Sequence, residues 1–165
     1  MSSYSCATIE RFFFIKGIDK RPVISRETLS KYLVNILEPV CYLLKTQQNL
    51  YGIRTLYRVI VTAGPDVLPL AQTLAQMFSL YLEAVVAQPS NQTFVYMLFE
   101  CIGLSIKLTK DHDMSLSTLE GYIAPIMFDI ISKSIPELIS YTFQILSMFV
   151  IYKKDLQENY QVLII

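Results

Sequence analysis

The sequence predicts an all-α fold built as a stack of antiparallel helix pairs, and three observations predict it. Apolar residues recur at helical spacing along nearly the whole chain, strand-like alternation is essentially absent, and short clusters of Pro, Gly, Asn and Asp interrupt the pattern at intervals. The second helix of each pair begins near Asn49, Asn91 and Ser134. That recurrence of about 42 residues falls in the range of two-helix HEAT repeats. The expected fold is therefore a HEAT-repeat α-solenoid of roughly three to four antiparallel helix pairs, with residues 1–165 forming one repeat segment.

In chain order, the periodicity predicts a helix from Ser5 to Lys16, a loop through Gly17 to Pro22 and a long helix from Arg26 to about Lys45. A helix from Asn49 to Thr62 follows, closed by Gly64 and Pro65. Then come Val67 to Ala87, ended by Pro89-Ser90-Asn91, and Gln92 to Lys110. The last complete pair runs from Ser117 to Lys133 and from Pro136 to Lys153, and Leu156 to Ile165 reads as the start of another helix. Ser25 with Thr28, Asp66, Asn91 and Ser134 are expected to cap free N–H groups at helix starts, and Pro136 suits a first turn. Pro39, Pro69 and Pro125 each fall in the first helix of a pair, where a missing hydrogen bond tends to bend it.

The faces of these helices fit stacking. Val95, Leu98, Phe99, Ile102 and Ile106 form one apolar stripe, with Tyr96, Glu100, Gly103 and Lys107 opposite. In the Asn49 helix, Ile53, Leu56, Val59 and Ile60 point one way and Tyr51, Arg54 and Arg58 another. Arg54 and Arg58, at i and i+4, stand side by side on what is expected to be the concave-side helix of its repeat. An array cut open leaves an apolar stacking surface in water. Phe12, Phe13 and Phe14 near one end and Val162-Leu163-Ile164-Ile165 at the other therefore read as truncations of a longer solenoid, and the isolated segment is expected to self-associate through them.

Composition narrows the function. Apolar residues make up 53% of the chain and its mean hydropathy is +0.41. A membrane span is nonetheless not expected, because charges, amides or prolines break each apolar stretch; the nearest candidate, Ile135 to Tyr152, carries Glu137 and Gln144. Fourteen basic residues balance fourteen acidic ones, which gives direct nucleic-acid binding no counterion-release drive. Cys6, Cys41 and Cys101 have no metal-ligand spacing and read as reduced, buried thiols of a cytosolic or nuclear protein. The polar start of the chain does not read as a signal peptide.

Motifs for chemistry are missing. His112, in Asp111-His112-Asp113, is the single histidine and reads as part of a solvated loop, with no metal expected. Neither a phosphate-cradling Gly-rich loop nor a nucleophile with its base can be assembled, and Glu100 and Glu137 lie on different helices. No cofactor is expected and the chain does not read as an enzyme. Asn91-Gln92-Thr93 fits a glycosylation acceptor but reads as a helix cap. Eleven tyrosines and no tryptophan suit rims of helix packing and protein interfaces. The expectation is a protein-binding scaffold.

Four segments carry a resemblance. They are Tyr4 to Ala7 with Ile9 to Phe13, then Tyr51 to Arg58, then Tyr96-Met97-Leu98-Phe99-Glu100-Cys101-Ile102-Gly103-Leu104-Ser105-Ile106, and finally Ile135 to Ser147. In order and spacing they resemble the C-terminal half of the CAS/Cse-type importin-α re-exporters, in the importin-β-like exportin family. The resemblance implies a receptor that shuttles through the nuclear pore, carries importin-α cargo from nucleus to cytoplasm with Ran-GTP, and releases it on GTP hydrolysis. Inner helices of that family face the partners, which points to Arg54, Arg58, Glu100, Lys107 and Lys153 as contact positions. Two other readings remain open from the residues alone: a HEAT scaffold such as a kinase or phosphatase regulatory subunit, and a small membrane- or lipid-binding helical protein.

Overall fold

The computed structural model describes residues 3–46, 48–88, 91–153 and 160. Eight α-helices are found among them: α1 (Ser3–Phe12), α2 (Arg26–Ser30), α3 (Leu33–Thr46), α4 (Leu50–Ala63), α5 (Ala71–Ala87), α6 (Gln92–Thr109), α7 (Asp113–Ser132) and α8 (Pro136–Tyr152). Helices α1, α4, α6 and α8 lie side by side in one row, and α3, α5 and α7 form a second. The rows face each other pair by pair, α3 on α4, α5 on α6 and α7 on α8, with short α2 also against α4. The expected HEAT-type solenoid is what the chain forms.

Apolar stripes build the slab between the rows. Ile53, Leu56, Val59 and Ile60 of α4 are fully buried, and so are Leu98, Ile102 and Ile106 of α6. From the other row they meet Val40, Leu44, Phe78, Leu82, Ile123 and Met127 in one continuous core. Each fully buried side chain of this size contributes about 1.5–3 kcal/mol relative to exposure. In the first row the expected cap at Asn91 forms, its Oδ1 accepting from Phe94 N at 3.0 Å, and Asn49 Oδ1, not foreseen as a cap, accepts from Gly52 N at 2.8 Å. Ser25 Oγ likewise accepts from Thr28 N at 3.2 Å at the start of α2.

Several boundaries differ from expectation, each for a local reason. The helix expected from Arg26 to Lys45 is divided, because Tyr32 N bonds three residues back to Leu29 O and tightens the chain between α2 and α3. Helix α1 stops at Phe12, short of Lys16, and the chain turns through a small hairpin. Val67 to Ala87 is not one helix: Gly64, at φ +55°, turns the chain out of α4, and Pro65 and Pro69 hold Gly64–Leu70 as a 3-10 helix before α5. Asp66 does not cap α5; its carboxylate takes Arg26 Nε at 3.0 Å together with Arg26 Nη2 and Ser30 Oγ, tying α2 to the 3-10 turn. Helix α7 begins a turn earlier than expected, at Asp113.

Ser134 does not cap α8 either. It closes α7: with φ +50° it occupies the left-handed position where glycine is favoured, while Ser134 N bonds Ile131 O at 3.0 Å and Ile135 N bonds Ile130 O at 3.3 Å. The segment Leu156 to Ile165, including the terminal Val162 to Ile165, lies outside the described residues except for Tyr160. Among the described residues, Leu50–Ala87 is the helical run long and apolar enough to cross a bilayer, and the break at Gly64–Leu70 divides it into helices of 14 and 17 residues. Both are shorter than the roughly 20 residues a span requires, and both pack into the two rows.

Polar side chains tie successive pairs together. Thr55 Oγ1 on α4 reaches Cys6 O on α1 at 3.0 Å, Tyr81 OH on α5 donates to Cys41 O on α3 at 2.9 Å, and the Cys101 thiol on α6 faces Ile53 O on α4 at 3.9 Å. All three cysteines are free and buried; burial pushes the Cys41 thiol up to about 12 and raises those of Cys6 and Cys101 as well. They therefore stay protonated and act as packing groups.

Two predictions follow from the turns. Ser134→Gly relieves the left-handed strain and is expected to stabilise the chain by about 1 kcal/mol in urea unfolding, whereas Ser134→Ala gives no such gain. Asp66 is held at about 2, below the 3.8 of a free carboxyl, first by its hydrogen bond from Arg26. A depressed carboxyl stabilises the fold above the unfolded value and loses that contribution as pH falls through the folded one. Asp66→Asn is therefore expected to flatten the loss of stability between pH 3.8 and about 2.

Candidate functional site

The i, i+4 spacing of Arg54 and Arg58 sets both on the face of α4 turned away from the slab, since Ile53, Leu56, Val59 and Ile60 take the inward face. Helices α1 and α6 flank α4 in the same row, and they contribute Glu10 on one side and Tyr96, Met97 and Glu100 on the other. With Tyr57 these residues line an open depression of about 340 Å³. Two guanidinium groups and two carboxylates thus share one aromatic-walled hollow of zero formal charge. Among the described residues none of Arg54, Arg58, Glu10 and Glu100 forms an ion pair, so their charges are not neutralised within the chain.

Arg58 has one specific neighbour, the Phe14 ring, with Cζ 4.3 Å from its centroid. That cation–π contact spreads the guanidinium over an apolar plate and leaves its N–H edges free. Beyond Tyr96 the aromatic wall continues to α8: Tyr141 tilts against Tyr96 at 6.4 Å and stacks on Phe99 at 5.1 Å. The Glu100 carboxylate, first among its neighbours, holds the Tyr96 phenol above the ordinary tyrosine range.

The structure brings together three of the five expected positions, Arg54, Arg58 and Glu100. Lys107 is exposed on the same helix, about 10 Å along from Glu100 by helical rise, and outside the hollow. Lys153 stands apart. Its ammonium is bound to Glu120 of α7, with the lysine side chain 17% and the glutamate 1% exposed. There the charge caps the end of α8 against α7, beside buried Tyr160, which meets Phe128 edge-on at 5.5 Å. Removing one partner from such a pair strands a buried charge. Glu10, Tyr57, Tyr96 and Met97 were not among the expected positions; Glu10 escaped because α1 gives no local sign that it lies beside α4.

Two helix rows joined at a regular period, with a charged and aromatic hollow on one of them, define a HEAT-type repeat protein. The chain belongs to the CAS/CSE family: residues 10–165 match the family described as CAS/CSE protein, C-terminus. It is 33% identical over 107 residues to the importin-alpha re-exporter of Schizosaccharomyces pombe, covering 64% of this chain and 11% of that protein. To the importin alpha re-exporter of Saccharomyces cerevisiae it is 25% identical over 167 residues, covering 95% and 17%. Exportin-2 of Pagrus major is 24% identical over 166 residues, covering 98% and 17%. The chain therefore spans about a sixth or less of the length of these relatives.

Glu100→Gln removes the negative neighbour and is expected to lower the titration midpoint of Tyr96 toward that of an ordinary tyrosine. Following tyrosine ring resonances against pH checks this, and an unmoved midpoint would show that the carboxylate is not beside the phenol in solution.

Proposed function

We propose that this chain is a protein-binding segment of a nuclear export receptor that carries importin-α from nucleus to cytoplasm in a complex with Ran-GTP. The observation that carries the reading is the match to proteins named importin-alpha re-exporter, which in the Saccharomyces cerevisiae relative extends over 95% of the chain. The receptor shuttles through the nuclear pore, and GTP hydrolysis in the cytoplasm ends the complex. Its work is recognition, with no bond made or broken by this segment.

The geometry supports a role for the α1/α4/α6 face. Arginine and tyrosine are among the side chains that most often anchor protein interfaces, and here both types line a hollow whose charged groups form no ion pairs among the described residues. Arg54 and Arg58 offer forked donors to carboxylates of a partner, Glu10 and Glu100 accept from its cations, and Lys107 lies at the rim. Lys153, bound to Glu120, is not carried forward as a contact.

Co-precipitation of the full-length protein with importin-α, with and without Ran bearing a non-hydrolysable GTP analogue, tests this reading. Capture is expected only with loaded Ran, and Arg54→Glu with Arg58→Glu is expected to weaken it about 30-fold or more, as for truncated interface anchors. Wild-type protein that takes importin-α no better than an unrelated protein would overturn the reading and return a HEAT scaffold such as a kinase or phosphatase regulatory subunit.

A further inference from the structure

After α1 the chain makes a tight hairpin that the two rows do not require. Lys16 and Pro22 form an antiparallel bridge, Val23 N donates to Ile15 O at 2.9 Å, and Gly17 N donates to Arg21 O at 2.8 Å. The tip is closed by Lys20 N on Gly17 O at 2.9 Å, with Lys20 at φ +63°, and by Arg21 N on Asp19 Oδ1 at 3.1 Å. This self-bonded frame holds Ile18 at its tip wholly exposed, at 107% of its reference area. Phe12, Phe14, Ile15 and Val23 are exposed at its base. Around them stand Lys16, Lys20 and Arg21 against a single anion, Asp19, which pairs with Arg21 at 3.7 Å.

An apolar knuckle with a charged rim, fixed in shape before any partner arrives, has the anatomy of an interface patch. Its charge selects the occupant. Three cations against one anion suit a partner surface rich in carboxylates and disfavour a second copy, whose hairpin bears the same sign. A bilayer with anionic headgroups also meets basic and apolar groups, but Phe14 joins the hairpin to Arg58 and so to a hollow in which two arginines balance Glu10 and Glu100, a mixed surface that a protein can match and that offers a bilayer no continuous basic field. We propose that the Phe12–Val23 hairpin is a docking arm for an acidic protein segment, seating Ile18 in an apolar recess of the partner while Lys16, Lys20 and Arg21 meet its carboxylates. The arm extends the α1/α4/α6 face and rests on the reading of that face as a partner surface.

The test uses the full chain and a fluorescein-labelled peptide of alternating Glu and Leu, followed by anisotropy. Lys/Leu and Glu/Ser peptides serve as controls, and vesicles of phosphatidylcholine with phosphatidylserine as the membrane arm. The Glu/Leu peptide is expected to bind, and Ile18→Asp and the triple reversal Lys16→Glu, Lys20→Glu, Arg21→Glu are each expected to weaken it about tenfold or more. Ile18 is fully exposed, so its replacement leaves folding intact, which circular dichroism verifies. Variants that bind like wild type, equal binding of Lys/Leu peptide, preferential capture by vesicles, or dimerisation abolished by Ile18→Asp would each overturn the proposal. Hairpin-dependent peptide binding without importin-α capture would sink the exporter reading alone; capture with unaltered peptide binding by the variants would sink the docking arm alone.

Discussion

Apolar burial between two helix rows has no preferred direction: a helix can slide or roll on its neighbour and keep most of its buried area. What removes that freedom here is a set of side chains from one helix bonded to main-chain carbonyls of the next. Thr55 reaches Cys6 O from α4 to α1, Tyr81 reaches Cys41 O from α5 to α3, and the Cys101 thiol faces Ile53 O from α6 to α4. Each donor is buried, so a shift of one helix would strand a polar group away from water, at about 1–3 kcal/mol. Both the stacking and the hollow on α4 depend on this registration, because Glu10, Arg58 and Glu100 come from three helices that meet nowhere in sequence.

Charge is handled in two ways in the same molecule. Between α7 and α8 the Glu120–Lys153 pair is taken out of water, where its value lies in fixing the end of α8. On the α1/α4/α6 face, Arg54, Glu10 and Glu100 are left half-buried and unpaired among the described residues, in a hollow whose aromatic walls lower the local polarity. A buried pair spends its charge internally; an unpaired one keeps it for encounter. That contrast separates Lys153 from Arg54 more firmly than their shared exposure to a sequence pattern suggests.

The period, the helix types and most of the core were legible because they rest on local signals. Val95 to Ile106 announces its inward face by spacing alone, and Ser25 and Asn91 announce helix starts by side-chain chemistry. Asp66 and Ser134 misled for the same reason: both are good capping residues, but Asp66 was drawn off by Arg26, forty positions away, and Ser134 ended the helix before it instead of starting the one after. The arginine pair was legible on α4; its neighbours Glu10 and Phe14 were not, since the side-by-side placement of α1 and α4 is a tertiary fact. Lys153 read as an open charge because nothing local reveals that Glu120 lies against it.

The bonds that register the stack have one more property. In each, the acceptor is a main-chain carbonyl, a group that every amino acid carries, so any residue type at position 6, 41 or 53 offers the same oxygen. Only the donor side is written in side-chain chemistry. A lineage built this way can exchange most of its residues while its helices keep their relative positions, provided a hydroxyl or thiol persists at a few places. Relatives a quarter identical over nearly the whole chain are the kind of divergence that such half-encoded contacts tolerate.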